Sequence, residues 1–230
     1  MPAFEAGPRA GVFYNERMSP RDYRLADRII GEIDKAINVL WNRPAPSRRL
    51  AAPGGGELML EPAERRESCR LMRVNHAGEV AAQALYRGQA ATARDPSTRT
   101  LMQRAGDEEL DHLAWCAERL EALGGRTSRL NALWYGGSFA IGALAGLRGD
   151  RFSLGFITET ERQVEQHLDR HLERLPAADR RSREVLEQMR HDEVRHGQTA
   201  AASGGEALPR PVRLAMRLTS RFMTYSSYWL

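Results

Sequence analysis

Apolar residues recur along this chain at intervals of three and four, and no stretch alternates in the strand-like way, so the pattern predicts an all-α protein. A first helix opens at Ser19-Pro20 and ends near Trp41, with Leu25, Ile29, Ile30, Ile33, Ile37 and Leu40 as its apolar stripe. Residues 43–61 carry Pro44, Pro46, Pro53 and Gly54-Gly55-Gly56 and read as a mobile linker. Four longer helices are then expected, at about 62–94 (with Leu71, Val74, Val80 and Leu85 inside), 97–123, 152–175 and 178–202. Gly124-Gly125 and Ser203-Gly204-Gly205 mark the ends of the second and the fourth. Between the pairs lie residues 132–147, uncharged, apolar and rich in glycine, which must cross from one pair to the other. At 16 residues the segment is short for a membrane span, leaving two readings: a crossover helix buried on the bundle, or a surface that dips into a bilayer. The tail, 209–230, mixes Arg210, Arg213, Arg217 and Arg221 with Leu214, Leu218, Phe222 and Trp229, which suits either an interfacial anchor or a capping helix.

Two stretches on the four long helices repeat one device. Glu79 precedes Glu109-Leu110-Asp111-His112 by 30 residues, and Glu161 precedes Glu193-Val194-Arg195-His196 by 32. Glu and His at i and i+3 share a helix face and can reach one ion. Halfway through each gap stands a turn signal, Arg94-Asp95-Pro96 and Pro176-Ala177-Ala178-Asp179, so each pair of helices folds into a hairpin. The lone glutamate and the Glu-x-x-His then stand at one height, about 22 Å from the turn. Docked hairpins would gather four carboxylates and two imidazoles, the ligand set of a ferritin-like bundle holding two iron or two manganese ions. Four buried carboxylates oppose one another's ionisation unless cations neutralise them. Oxygen and imidazole donors without thiolate allow iron or manganese, and iron is expected.

The expected ligands are therefore Glu79, Glu109, His112, Glu161, Glu193 and His196. Around them, Asp192 is expected to hydrogen-bond the free nitrogen of His112, and Glu108 that of His196. Tyr86 and His76 share related faces of the first long helix and are candidates for support, with ordinary core packing as the alternative. Glu165 could face the metals, whereas His167 points elsewhere. The chain divides into an N-terminal extension (1–60) to which no chemistry is assigned, the bundle (61–205) and a basic amphipathic segment (206–230).

Composition narrows the rest. The net charge of +4 comes from interspersed acids and bases, almost all the positive charge is arginine, and no nucleic-acid motif is present. Cys69 and Cys116 lie far apart and read as reduced thiols. There is no signal-like apolar segment at the N-terminus and no flavin or nicotinamide fingerprint, so electrons are expected from an external donor.

Leu71-Met72-Arg73-Val74-Asn75-His76-Ala77-Gly78-Glu79, Asp107 to Leu113, Glu159-Thr160-Glu161 through His167-Leu168, and Asp192-Glu193-Val194-Arg195-His196 resemble the demethoxyubiquinone hydroxylase family. The resemblance runs from about residue 60 to the C-terminus, with Asn75 to Glu79 its most specific part. It implies a ferritin-like four-helix bundle, peripheral on the cytoplasmic face of a bacterial inner membrane. It also implies two iron ions at the six positions above, dioxygen as co-substrate, and ring hydroxylation of a polyprenyl demethoxyubiquinol. A homo-oligomer or accessory proteins of ubiquinone biosynthesis stay open. The rival is a ferritin- or rubrerythrin-like iron oxidase or peroxide scavenger, which would use the same ligands without an organic substrate.

Overall fold

The computed structural model describes residues 25–42, 46–48, 50 and 59–230. The start of the first predicted helix and most of the Gly/Pro linker lie outside the described residues. Seven helices are present among the described residues: α1 (Leu25–Trp41), α2 (Pro62–Thr92), α3 (Pro96–Ala122), α4 (Asn131–Arg148), α5 (Asp150–Arg174), α6 (Arg180–Ala202) and α7 (Arg210–Trp229). The chain divides into two units, 1–34 and 35–230. In the first, Ile30 and Ile33 of α1 are exposed. In the second, Val39 is buried against Val80, Ala84, Leu113 and Tyr135, with Ala36 and Leu40 beside it, while Ile37 faces outward. Of the predicted apolar stripe, Leu40 thus joins this cluster while Ile37 does not.

α2 with α3, and α5 with α6, form the two antiparallel hairpins, turning at Ala93–Asp95 and at Leu175–Asp179. Each turn is built from its own polar groups. The Asp95 carboxylate accepts from the backbone N–H of Thr98 at 2.8 Å and so caps α3, with Pro96 in the first turn where its missing donor is harmless. The backbone N–H groups of Arg94 and Asp95 in turn donate to Asp150 at 3.0 and 2.8 Å, tying this turn to the start of α5. Asp179 caps α6 through the Ser182 N–H at 3.0 Å and pairs with Arg119 of α3 at 2.8 Å, both side chains being buried. One cap thus locks one hairpin to the other.

α4 makes the crossover, and its glycines explain how it lies so close to α2. A Cβ on Gly142 would stand 2.2 Å from the Leu85 carbonyl oxygen, and one on Gly88 of α2 would stand 2.2 Å from that of Phe139, so neither position tolerates any side chain. Gly149, at φ +129°, makes the bend into α5. Leu133, Leu144 and Leu147 lie on the exposed side of α4. One side of the segment is buried, as a crossover helix on the bundle requires, and the other is apolar and open.

The bundle interior is layered. Leu71, Met72, Leu120, Leu168, Leu186 and Met189 fill one end, and Tyr86, Met102, Leu154 and Ile157 the other. The residues singled out for metal binding stand between these two apolar layers.

Candidate metal centre

The hairpin geometry places Glu79 on α2, Glu109 and His112 on α3, Glu161 on α5, and Glu193 and His196 on α6, all buried. The i, i+3 spacing aims each histidine back at its own glutamate. Nδ1 of His112 lies 2.8 Å from Glu109 Oε2, and Nδ1 of His196 lies 3.4 Å from Glu193 Oε2. Each glutamate also reaches across the bundle: Glu109 Oε1 is 3.1 Å from His196 Nδ1, and Glu193 Oε1 is 3.3 Å from His112 Nδ1. Two carboxylates therefore span the gap between two imidazoles whose rings are 6.3 Å apart. Glu79 Oε2 comes to 3.7 Å from His112 Nδ1. Glu161 joins the group through Glu193 and accepts a 2.5 Å hydrogen bond from the Tyr86 hydroxyl.

The outward nitrogens are held by acids. His112 Nε2 is 3.1 Å from Asp192 Oδ2, and His196 Nε2 is 3.0 Å from Glu108 Oε2. Arg195 contacts both of these acids, at 3.0 Å from Asp192 and 2.7 Å from Glu108. An Nε2–H donated outward leaves Nδ1 as a lone pair facing the cluster, the form a metal requires.

Electrostatics makes the cluster costly as it stands. Burial above all, with Glu109 and Glu193 adding repulsion, pushes the Glu79 carboxyl well above the usual carboxylate range. Burial and Glu193 do the same to Glu161. The imidazoles go the other way: against the lowering effect of burial, Glu109 and Asp192 raise His112, and Glu109 and Glu193 raise His196 to about 11. The four carboxylates therefore favour positive charge placed among them. The Glu79 Oε2 atom is buried with no hydrogen-bond partner, and Glu79, Glu109, His112 and Glu193 offer donor atoms within 4.8 Å of one another. An orphaned oxygen among hard donors fits a divalent cation, and the charge of four carboxylates fits two.

Two of the further candidates face elsewhere. His76, one turn before Glu79 and rotated about 60° from it, faces α4, where its Nδ1 is 3.4 Å from the Asn131 amide; burial lowers its pKa to about 4. Glu165 is turned to the surface of α5, 3.6 Å from Arg190.

Other contacts had no signal in the pattern. Ser47 and Arg48, in the linker to which no chemistry was assigned, fold against the outer side of α3. The Ser47 N–H donates to Asp111 at 2.6 Å, and Arg48 donates to Asp111 and to Asp192, each at 2.9 Å. The Trp115 indole donates to the Arg48 carbonyl at 2.9 Å and the guanidinium lies over its ring. Asp111 and Asp192, acids beside members of the cluster and themselves buried, are the clue that a cation must come from somewhere; periodicity cannot say from where.

A cavity of about 50 Å³ between α2, α5 and α7 touches Glu79, Glu161 and Glu193. It shares Val74, Gln163, His167, Ser220 and Thr224 with a larger cavity of about 690 Å³ between α5 and α7. A third, of about 550 Å³, approaches from the opposite side beside Tyr86, Ile157 and His196.

Comparison with known proteins places this geometry. A sequence model of the family described as ubiquinone biosynthesis protein COQ7 matches residues 66–227. Proteins named 3-demethoxyubiquinol 3-hydroxylase are similar over most of the chain. That of Cupriavidus pinatubonensis is 57% identical over 207 residues, covering 88% of this chain and 99% of its own. That of Bordetella parapertussis is 54% identical over 209 residues (89% and 92%), and that of Ralstonia pickettii 52% over 215 (89% and 99%). With the matched segment spanning all six buried carboxylate and imidazole positions, the chain belongs to the COQ7 family of ubiquinone biosynthesis proteins.

Proposed function

We propose that this protein is a di-iron monooxygenase that uses dioxygen to hydroxylate the ring of a polyprenyl demethoxyubiquinol. The observation that carries the reading is the crossed pair: Glu109 and Glu193 each face both His112 and His196. Glu109, Glu193, His112 and His196 would together hold two cations, the carboxylates supplying charge and the imidazoles neutral donors. Glu79 and Glu161 would complete the set from either side, and the names of the relatives supply the substrate class. Bound iron would supply the redox chemistry by which dioxygen is activated.

The chain's own groups supply position and charge. Asp192 and Glu108 hold the histidine tautomers, and Tyr86 holds one oxygen of Glu161 by donating its proton. The apolar layers on either side keep bulk water from the centre. The 50 Å³ cavity has room for a water or two but not for a substituted ring, so substrate access requires the seam between α5 and α7 to open. Among the described residues no helix is long and apolar enough to cross a membrane. The exposed apolar sides of α4 and α7 support a peripheral position on the bilayer from which a polyprenyl substrate is drawn.

The test is anaerobic iron loading followed by oxygen and a short-chain demethoxyquinol. Hydroxylated product is expected, with Glu109→Ala losing both bound iron and product. Oxygen consumption without hydroxylated product would instead favour the iron oxidase.

A further inference from the structure

α5 and α7 splay apart, and the 690 Å³ cavity between them is unlike the rest of the surface. Arg162, Arg170 and Arg174 line it from α5, the last two one turn apart, and Arg217 and Arg221 line it from α7, again one turn apart. No Asp or Glu lines it among the described residues. Arg162 is neutralised by Glu159 and Arg174 by Glu67, on the cavity's margins, whereas among the described residues no carboxylate within salt-bridge distance faces Arg170, Arg217 or Arg221. A hydroxylated quinol ring carries no charge to answer three such guanidiniums.

Two histidines also line the cavity. The His167 and His171 rings have centroids 3.9 Å apart and are tilted by 55° to each other. His171 is 5% exposed, and its Nδ1 is buried without any hydrogen-bond partner. Burial, and then Arg170 and Arg174, lower the pKa of His167 to about 4, so this ring does not add to the positive charge. Ser220 and Tyr225 add hydroxyl groups to the cavity lining, while the Thr224 hydroxyl donates to the Arg221 carbonyl at 3.1 Å.

We propose that the cavity between α5 and α7 binds a phosphate-bearing anion, held by Arg170, Arg217 and Arg221. Guanidinium forks match phosphate oxygens in pairs, and helices presenting them one turn apart suit a tetrahedral group with several oxygens. The volume far exceeds one phosphate, so the ligand has a larger body, which Tyr228 and Trp229 would border. Two sources share this chemistry: a phospholipid headgroup and a soluble phosphate compound. The exposed Leu214, Leu218 and Phe222 on α7 put the cavity at headgroup depth once that helix lies on a bilayer, so the lipid source rests on the membrane reading above. Phosphate binding itself does not, nor does it depend on the hydroxylase reading.

The experiment uses the full-length, iron-loaded protein with two probes. Inorganic pyrophosphate is titrated calorimetrically, and phosphatidylcholine vesicles with and without phosphatidylglycerol are used in flotation. Arg170→Ala/Arg221→Ala is compared with Arg66→Ala/Arg151→Ala, which removes the same charge elsewhere; melting temperature, iron content and turnover of a short-chain quinol are measured on the same samples. The cavity variant is expected to weaken binding of at least one probe about tenfold or more, with the control unchanged. Pyrophosphate that displaces the protein from anionic vesicles identifies the headgroup as occupant. Loss of pyrophosphate binding with vesicle binding intact identifies a soluble compound. If the two double variants behave alike with both probes, the positive charge is only a diffuse surface property and the proposal is wrong, whatever the turnover measurement says.

Discussion

Arg48 bonds two buried acids, Asp111 and Asp192, and the second of these holds His112. Removing it leaves Asp192 with Arg195 as its nearest cation and opens the outer side of α3. Arg48→Ala is therefore expected to lower iron affinity about tenfold, the usual scale for a group that supports a ligand, and Arg48→Lys to restore only part, because one ammonium cannot bridge two carboxylates as a guanidinium does. Competition against a chelator measures this; unchanged affinity would show the contact to be passive. The proton balance of the cluster makes a second prediction. In the metal-free protein Glu79, Glu161, His112 and His196 all have folded pKa values above their unfolded ones. The folded state then binds more protons than the unfolded state, so stability falls as pH rises. For the histidines that loss starts above about 6.5 and, for His196, continues towards about 11. Glu109 and Glu193 are lowered, and their contribution is lost only under acid conditions. Thermal melts of the stripped protein from neutral to alkaline pH should show a falling midpoint, and the iron-loaded protein should be flatter. The six cluster positions were legible in the sequence because i+3 spacing and near-equal gaps are periodic facts. Arg48 was not, because it arrives through an aperiodic linker.

Among the helices, α4 depends most on the absence of side chains. Gly142 and Gly88 let it approach α2 until backbone meets side-chain-free backbone. Gly142→Val would push into the Leu85 carbonyl, and the misfit is expected to cost about 1–3 kcal/mol, read as a fall of roughly 2–10 °C in Tm. The same substitution at Gly136, where an added Cβ meets nothing within 4 Å, should leave Tm much closer to the parent. A drop of equal size at both would point to helix propensity, not packing. Helix number and the two hairpin turns could be read beforehand because Asp95-Pro96 and Pro176 to Asp179 are local signals, each capping the helix that begins beside it. Which side of α1 or α4 would be buried could not. Val39 is buried where Ile37 is exposed, since contact is decided by the partner surface as much as by the helix's own hydrophobicity.

For the molecule as a whole, α4 and α7 meet where the buried Trp134 touches Phe222 edge to face at 5.9 Å. Leu218 and Phe222 are 56% and 64% exposed, so replacing both by aspartate should leave the fold intact while removing apolar contact with lipid. Flotation with anionic vesicles is expected for the parent protein and not for Leu218→Asp/Phe222→Asp at equal Tm. Recovery of the parent only in the aqueous fraction would remove the membrane from the account. The tail's mixture of arginine and aromatic residues suggested this surface. Its cavity stayed hidden, because the matching arginines lie on α5, some fifty residues earlier.

The polar layer between the two apolar ends belongs to neither hairpin: α2 and α3 bring three of its members, α5 and α6 the other three. With cations it would act as a rivet through both halves, and without them as a fault line of mutual repulsion. Chelation should therefore let deuterium exchange spread outward from Glu79, Glu109, Glu161 and Glu193 before either end of the bundle loosens.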